Sequence, residues 1–188
     1  SAALDASGDA GVMVDFESLE PPAIAQLHQF LGELHAQLAP RHRLVAVTMP
    51  VDSADWSARS LAQVADKVVL MAYDEHWQGG ESGPIASNGW FVTHLSQQVR
   101  GVPADKLIVA LGSYAYDWHQ GKADSLTVEV GDRVTAGQAV ARSMLHTNLA
   151  TVHILSGDLK QASQCAQKAL ELQPNSRNAL LCLVYLEI

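Results

Sequence analysis

Four short, nearly continuous apolar runs decide what this chain can become: GVMVDFE at 11–17, RLVAVTMPV at 43–51, KVVLMAYD at 67–74 and KLIVALGSY at 106–114. A half-buried strand alternates apolar and polar residues, whereas runs like these are buried on both faces, as in a parallel sheet covered by helices. The stretches between them supply the helices, giving the rhythm of βα units. In PPAIAQLHQFLGELHAQLAP, Ile24, Leu27, Leu31, Leu34 and Leu38 recur at three or four, Pro21 and Pro22 open the helix and Pro40 closes it. Shorter helices are expected at about 55–65 and 88–100.

Three of the runs end in polar or acidic residues: Asp15 with Glu17, Asp74 with Glu75, and Tyr114 with Asp117 just beyond. Carboxyl ends of parallel strands are where α/β folds place their chemistry. Alternation along a strand puts Asp15 and Glu17 on one side and Phe16 on the other. Two readings of the acids stand side by side. They are solvated loop or helix-capping groups, or a pair in which one carboxyl with a raised pKa protonates a leaving group while its neighbour stays ionised.

Charge and composition exclude several classes. Twelve basic and 20 acidic residues give a net charge of −8 and leave no basic stripe to neutralise phosphates, so nucleic acid is not an expected partner. No apolar segment approaches the roughly 20 residues of a membrane span, and SAALDASGDAG lacks a basic region followed by an apolar stretch, so the chain reads as mature or truncated and soluble. Cys165 and Cys182 have neither CxxC spacing nor a second pair and read as small core residues, with no zinc or disulfide framework. Gly79, Gly80 and Gly83 form no phosphate-binding pattern, and no cofactor is indicated.

After Trp118 the texture changes. HQGKADS is a polar joint, and SLTVEVGDRVTAGQAVARS reads as a small β segment turning at Gly131-Asp132, with no helix pattern. It resembles the β-hairpin of lipoyl-type modules without the lysine that would carry a prosthetic group. From Ser143 the chain is helical. Leu149, Ala150, Ala162, Ala169 and Pro174, with Gly157-Asp158 between two helices, resemble a tetratricopeptide repeat of ~34 residues, His146 and His153 standing where aromatics are usual. One repeat cannot bury its own apolar face, so this piece should dock on the β/α part, another chain or a neighbour.

GVMVDFE, LMAYDEHWQGGESGPIASNGWF and KLIVALGSYAYDW together resemble a chitinase-like family-18 glycoside hydrolase, of the bacterial kind fused to polysaccharide deacetylase and glycosyltransferase domains. The resemblance implies a (β/α) barrel with strands four to seven present over about 10–118. It implies Glu17 as general acid and Asp15 as the carboxylate that orients the substrate's acetamido group. The family's Met-x-Tyr-Asp motif is matched by Met71, Tyr73 and Asp74, with Tyr73 donating to the acetamido oxygen that acts as internal nucleophile. Where the family has acidic or amide residues earlier in the first motif, this chain has Ala10 and Met13, which removes a charge that tunes Asp15. Strands one to three and eight have no counterpart in the sequence.

Trp77, Tyr116 and Trp118 follow the motif-bearing strands and are candidate sugar-stacking residues, Met71 a further substrate contact, while Trp90 and Phe91 read as the packing of a helix start. His28 and His35 lie two turns apart on one helix face, too far for a metal pair; His76 beside Asp74 and Glu75 reads either as a metal-binding or pH-sensing group or, in the ordinary case, as a hydrogen-bonding group that orients its loop, and no metal site is expected.

The fold expected is therefore α/β: a partial (β/α) barrel over 1–122, a short β-hairpin over 123–142 and a C-terminal α-hairpin repeat over 143–188. The function expected is hydrolysis or binding of a β-linked N-acetylglucosamine polysaccharide, with carbohydrate as partner and an extracytoplasmic setting if the hydrolase resemblance governs. The alternatives are a non-enzymatic scaffold that binds a protein partner or itself through 143–188, and a chain assembled from unrelated pieces, which the abrupt changes near 124 and 143 suggest.

Overall fold

The apolar runs become the strands β1 (Gly11–Val14), β2 (Leu44–Pro50), β3 (Lys67–Ala72) and β4 (Leu107–Leu111) of one sheet, in the order β1-β2-β3-β4. This is a computed structural model that describes residues 2–119, 122–127 and 136–186. β1 pairs with β2 and β2 with β3 in parallel, with Val14 opposite Val47 and Pro50 opposite Met71. Parallel neighbours need crossovers, and the first is α2 (Pro21–Leu38), preceded by a short α1 (Ala2–Ser7). Its apolar stripe buries Leu27, Leu31 and Leu38, while Val45, Val47 and Met49 of β2 and Val68 and Leu70 of β3 are buried in the sheet. α3 (Ala58–Leu61) starts at Ser57, whose hydroxyl accepts from the Ser60 amide. α4 (Asn88–Gln98) buries Phe91 and Leu95, as expected for a helix start built on an aromatic.

At Gly11 the backbones of β1 and β2 come so close that a Cβ would lie 2.0 Å from the Leu44 carbonyl oxygen, which explains glycine at the first position of β1. The opposite face of the sheet is less covered: Met13, Leu44 and Ile108 are all exposed.

The chain divides into two compact units, Ser1–Met71 with His94–Ala110, and Ala72–Thr93 with Leu111–Ile188. In the second unit the expected hairpin lies earlier than its sequence signal. β5 (Tyr114–His119) pairs antiparallel with β6 (Lys122–Thr127), Tyr114 opposite Thr127, so KLIVALGSY is split between two strands in different sheets. The Gly131-Asp132 turn falls outside the described residues, and Ala136–Ser143, expected as strand, is the first part of α5 (Ala136–Ser156). Its alanines favour helix over strand, and Val140, Met144 and Leu145 share one helical face.

α5, α6 (Leu159–Leu172) and α7 (Arg177–Leu186) form the expected helical repeat. Gly157 takes φ +80, the left-handed conformation that ends α5, and the Asp158 carboxylate caps α6 by accepting from the Gln161 amide at 3.1 Å. Ala150, Cys165, Ala166 and Cys182 make the small-residue core, which lets the helix backbones approach closely. Two buried hydroxyls on α5 find carbonyl acceptors: Ser143 donates to the Ala169 carbonyl of α6 at 3.0 Å and Thr147 to the Ser143 carbonyl at 2.8 Å. Among the described residues no helix is long and apolar enough to cross a membrane.

Candidate functional site

In the first unit, β1 ends at Val14, so Asp15 and Glu17 stand in the loop that follows the strand, and strand alternation does not govern where they point. Both are exposed. The chain leaves the sheet here because Ser18 takes a left-handed φ of 56 and Pro21, without an amide proton, opens α2. Asp15 is nevertheless fixed: its carboxylate accepts a hydrogen bond from the buried Thr48 hydroxyl, one residue beyond the β2 position that faces Val14. Phe16 leaves the strand to meet Phe30 of α2 with ring centroids 6.5 Å apart. Met13 is 60% exposed and sits opposite Ala46, so the position from which an acid would tune Asp15 carries no charge. Met71 is half-buried at the end of β3, paired with Pro50.

The second unit gathers the other expected residues around one tyrosine. Asp74, at φ 66, accepts a hydrogen bond from the Tyr114 hydroxyl. Burial, then the Asp74 hydrogen bond and charge, push the Tyr114 phenol above its ordinary pKa, which favours the neutral, hydrogen-bond-donating form. Tyr73 meets Tyr114 edge-on at 6.2 Å, Tyr114 meets Tyr116 at 5.7 Å, and Tyr116 meets Trp118 at 5.5 Å. The last three alternate along β5, which brings them to one face. This YAYDW alternation was the sequence signal for β5, hidden because it follows directly on an apolar run.

The loop between β3 and α4 is pinned by its own side chains. The Glu75 carboxylate accepts from the amide and the hydroxyl of Ser87, the latter at 2.9 Å, and its amide donates to the Ile85 carbonyl at 2.8 Å. His76 Nδ1 lies 2.9 Å from the Pro84 carbonyl oxygen, the loop-orienting role expected of it, and Trp118 Nε1 donates to the Gly83 carbonyl at 2.9 Å. A Cβ on Gly83 would strike the His76 ring, and one on Gly79 would lie 2.2 Å from the Trp77 ring. The Trp77 ring thus rests against the Gly79–Gly80 backbone while 57% of the residue faces solvent. Such a platform can stack on the apolar face of a sugar ring.

Other candidates serve the fold. His28 Nε2 lies 3.2 Å from the Ser60 carbonyl oxygen and His35 Nε2 the same distance from the Asp66 carboxylate. Burial raises the pKa of the Cys165 and Cys182 thiols, as suits inert core residues. Sequence reasoning missed Thr48 as the partner of Asp15 and Asn148 as an anchor of α5. Asn148 is buried and donates to the Ala86 carbonyl at 3.1 Å.

Comparisons with known proteins give two results. The chain is 32% identical over 127 residues to the uncharacterized glycosylase YvbX of Bacillus subtilis (strain 168), covering 63% of this chain and 37% of that protein. It is 27% identical over 112 residues to the cortical fragment-lytic enzyme of Bacillus anthracis, covering 55% of this chain and 26% of that one. Among solved structures, the chitinase from Chromobacterium violaceum ATCC 12472 superposes with a TM-score of 0.62 at 26% identity, over 67% of this chain and 43% of its own. The family described as the CNOT10 tetratricopeptide repeat domain matches residues 115–188. The relatives and structural neighbours are thus glycosylases and chitinases, met here as a partial barrel joined to a repeat-like helical end, and the chain spans less than half the length of each of these relatives.

Proposed function

We propose that the chain is a glycoside hydrolase acting on β-linked N-acetylglucosamine polysaccharide by a substrate-assisted, retaining mechanism. The observation that carries this reading is the pair of exposed acids just past the carboxyl end of β1, with Asp15 held by Thr48 and Glu17 two residues on, facing solvent. Glu17 donates its proton to the glycosidic oxygen while the substrate's own acetamido oxygen attacks the anomeric carbon, so no protein nucleophile is needed. Asp15 orients the acetamido group and stabilises the positive charge that develops on it. Tyr73 donates to the acetamido oxygen, and Asp74 holds Tyr114, whose ring packs edge-on against Tyr73. Trp77, Tyr116 and Trp118 offer aromatic surface to sugar rings, and Met71 adds an apolar contact. The relatives' names, glycosylase, chitinase and cortical fragment-lytic enzyme, support this class of substrate.

The test is turnover of N-acetylglucosamine oligosaccharides by the purified chain beside Glu17→Gln, with circular dichroism showing both folded. Activity that is lost in the variant supports the reading; activity that survives it, or a folded protein with none, overturns it.

A second reading rests on α7, where Leu180, Leu181 and Val184 are each about half exposed along one side of the helix. Such a face suits a scaffold that binds a protein partner, or its own kind, through the repeat. Leu181→Lys should then abolish concentration-dependent association seen by sedimentation while leaving the fold intact; association unchanged by the charge contradicts it.

A further inference from the structure

Within the second unit, α5, β5 and the loop 83–86 enclose a cavity of about 240 Å³. Ile85, Leu111, Tyr114, Tyr116, Met144 and Leu145 form much of its wall. Polar atoms reach this wall, and several of their hydrogen bonds are already made. The four successive carbonyls of Gly83, Pro84, Ile85 and Ala86 are taken by Trp118, His76, Glu75 and Asn148 in turn. The Asn148 side-chain oxygen accepts from Asn88 at 3.4 Å, and the Tyr114 hydroxyl is committed to Asp74.

A buried water needs two to four polar partners, and an apolar cavity of roughly 150 Å³ stays dry and takes up benzene. A charged or heavily hydroxylated ligand would surrender its hydration here with little in return. Aromatic edges and faces are on offer instead from Tyr114 and Tyr116, and the unbranched Met144 can adjust to an occupant's outline. Val140, 44% exposed on the α5 side, gives the rim an open edge.

We propose that this cavity binds a compact, uncharged aromatic molecule of one or two rings. The site is built jointly by the helical repeat and the loop after β3, and it uses neither Asp15 nor Glu17. Its occupant touches Tyr114, the residue that holds Asp74.

The methionines provide the test. Of the four in the chain, Met144 lines the cavity, while Met13, Met49 and Met71 belong to the first unit. The full chain, labelled with ¹³C at the methionine methyls, is titrated with indole and, separately, with N-acetylglucosamine. The expected result is a saturable shift of the Met144 signal with indole, the other three unmoved, and no shift of the Met144 signal with the sugar. Ala141→Leu, which fills the cavity from α5, should weaken indole at least tenfold, and Leu145→Trp, filling it from the same helix, serves if the first variant does not fold. A motionless Met144 signal, equal shifts at all four methyls with indole, a Met144 response to the sugar, or undiminished affinity in a folded filled variant would each overturn the proposal.

Discussion

At the scale of single residues, the Thr48–Asp15 hydrogen bond is where a neutral group meets the exposed carboxylate. A hydrogen bond to a charged group is worth about 1.5–3 kcal/mol. Thr48→Val should therefore lower stability by about that amount, read as a drop in Tm, and slow glycan turnover about tenfold or more as Asp15 loses its orientation, since each 1.36 kcal/mol of barrier is tenfold in rate; equal turnover in the two proteins would mean that the bond is not felt in catalysis. His146 offers a prediction in pH. Its Nδ1 is buried without a hydrogen-bond partner among the described residues, and burial first, then Lys168 and Arg142, lower its pKa against the opposing pull of Glu171. The unfolded chain then binds the proton more tightly than the folded one, so the stability His146 supports is fully present above its ordinary pKa of about 6.5 and is lost as the pH falls from there toward its folded pKa. Thermal melts between neutral and mildly acidic pH should show this slope, and His146→Leu should flatten it.

At the scale of elements, Asn148 is the polar anchor of α5. Asn148→Leu leaves the Ala86 carbonyl without its partner and should cost about 1–3 kcal/mol, read by chemical denaturation; a change within error would mean that the helix is held by its apolar contacts alone. Gly11→Ala should cost about 1–3 kcal/mol or more by driving β1 away from Leu44. The strands that build the sheet were legible because their apolar runs are long and continuous, and α2 because its leucines keep helical spacing between prolines. The ends of those strands were not. Val14 is followed by a turn that a left-handed Ser18 helps to make, and neither conformation leaves a mark in the apolar pattern. Only the end of β6 was readable as strand, because Lys122–Asp124 read as part of a polar joint, and its partner is Tyr114–His119 and not the sequence beyond Gly131-Asp132, because pairing depends on what the fold brings alongside. The Met-Ala-Tyr-Asp motif was plain; that Asp74 would be held by Tyr114, 40 residues later, was not.

At the scale of the whole molecule, a sheet that exposes Met13, Leu44 and Ile108 is followed at the end of β1 by two exposed acids, in a chain similar to part of a far longer glycosylase. The central claim is that these acids work with the substrate's own acetamido group. The most direct measurement is a proton NMR time course of N-acetylglucosamine oligosaccharide hydrolysis by the chain, following the anomeric signals before mutarotation blurs them. A retaining, substrate-assisted mechanism predicts that the β-anomer of the new reducing end accumulates first. First appearance of the α-anomer, or no product from folded protein, would contradict it.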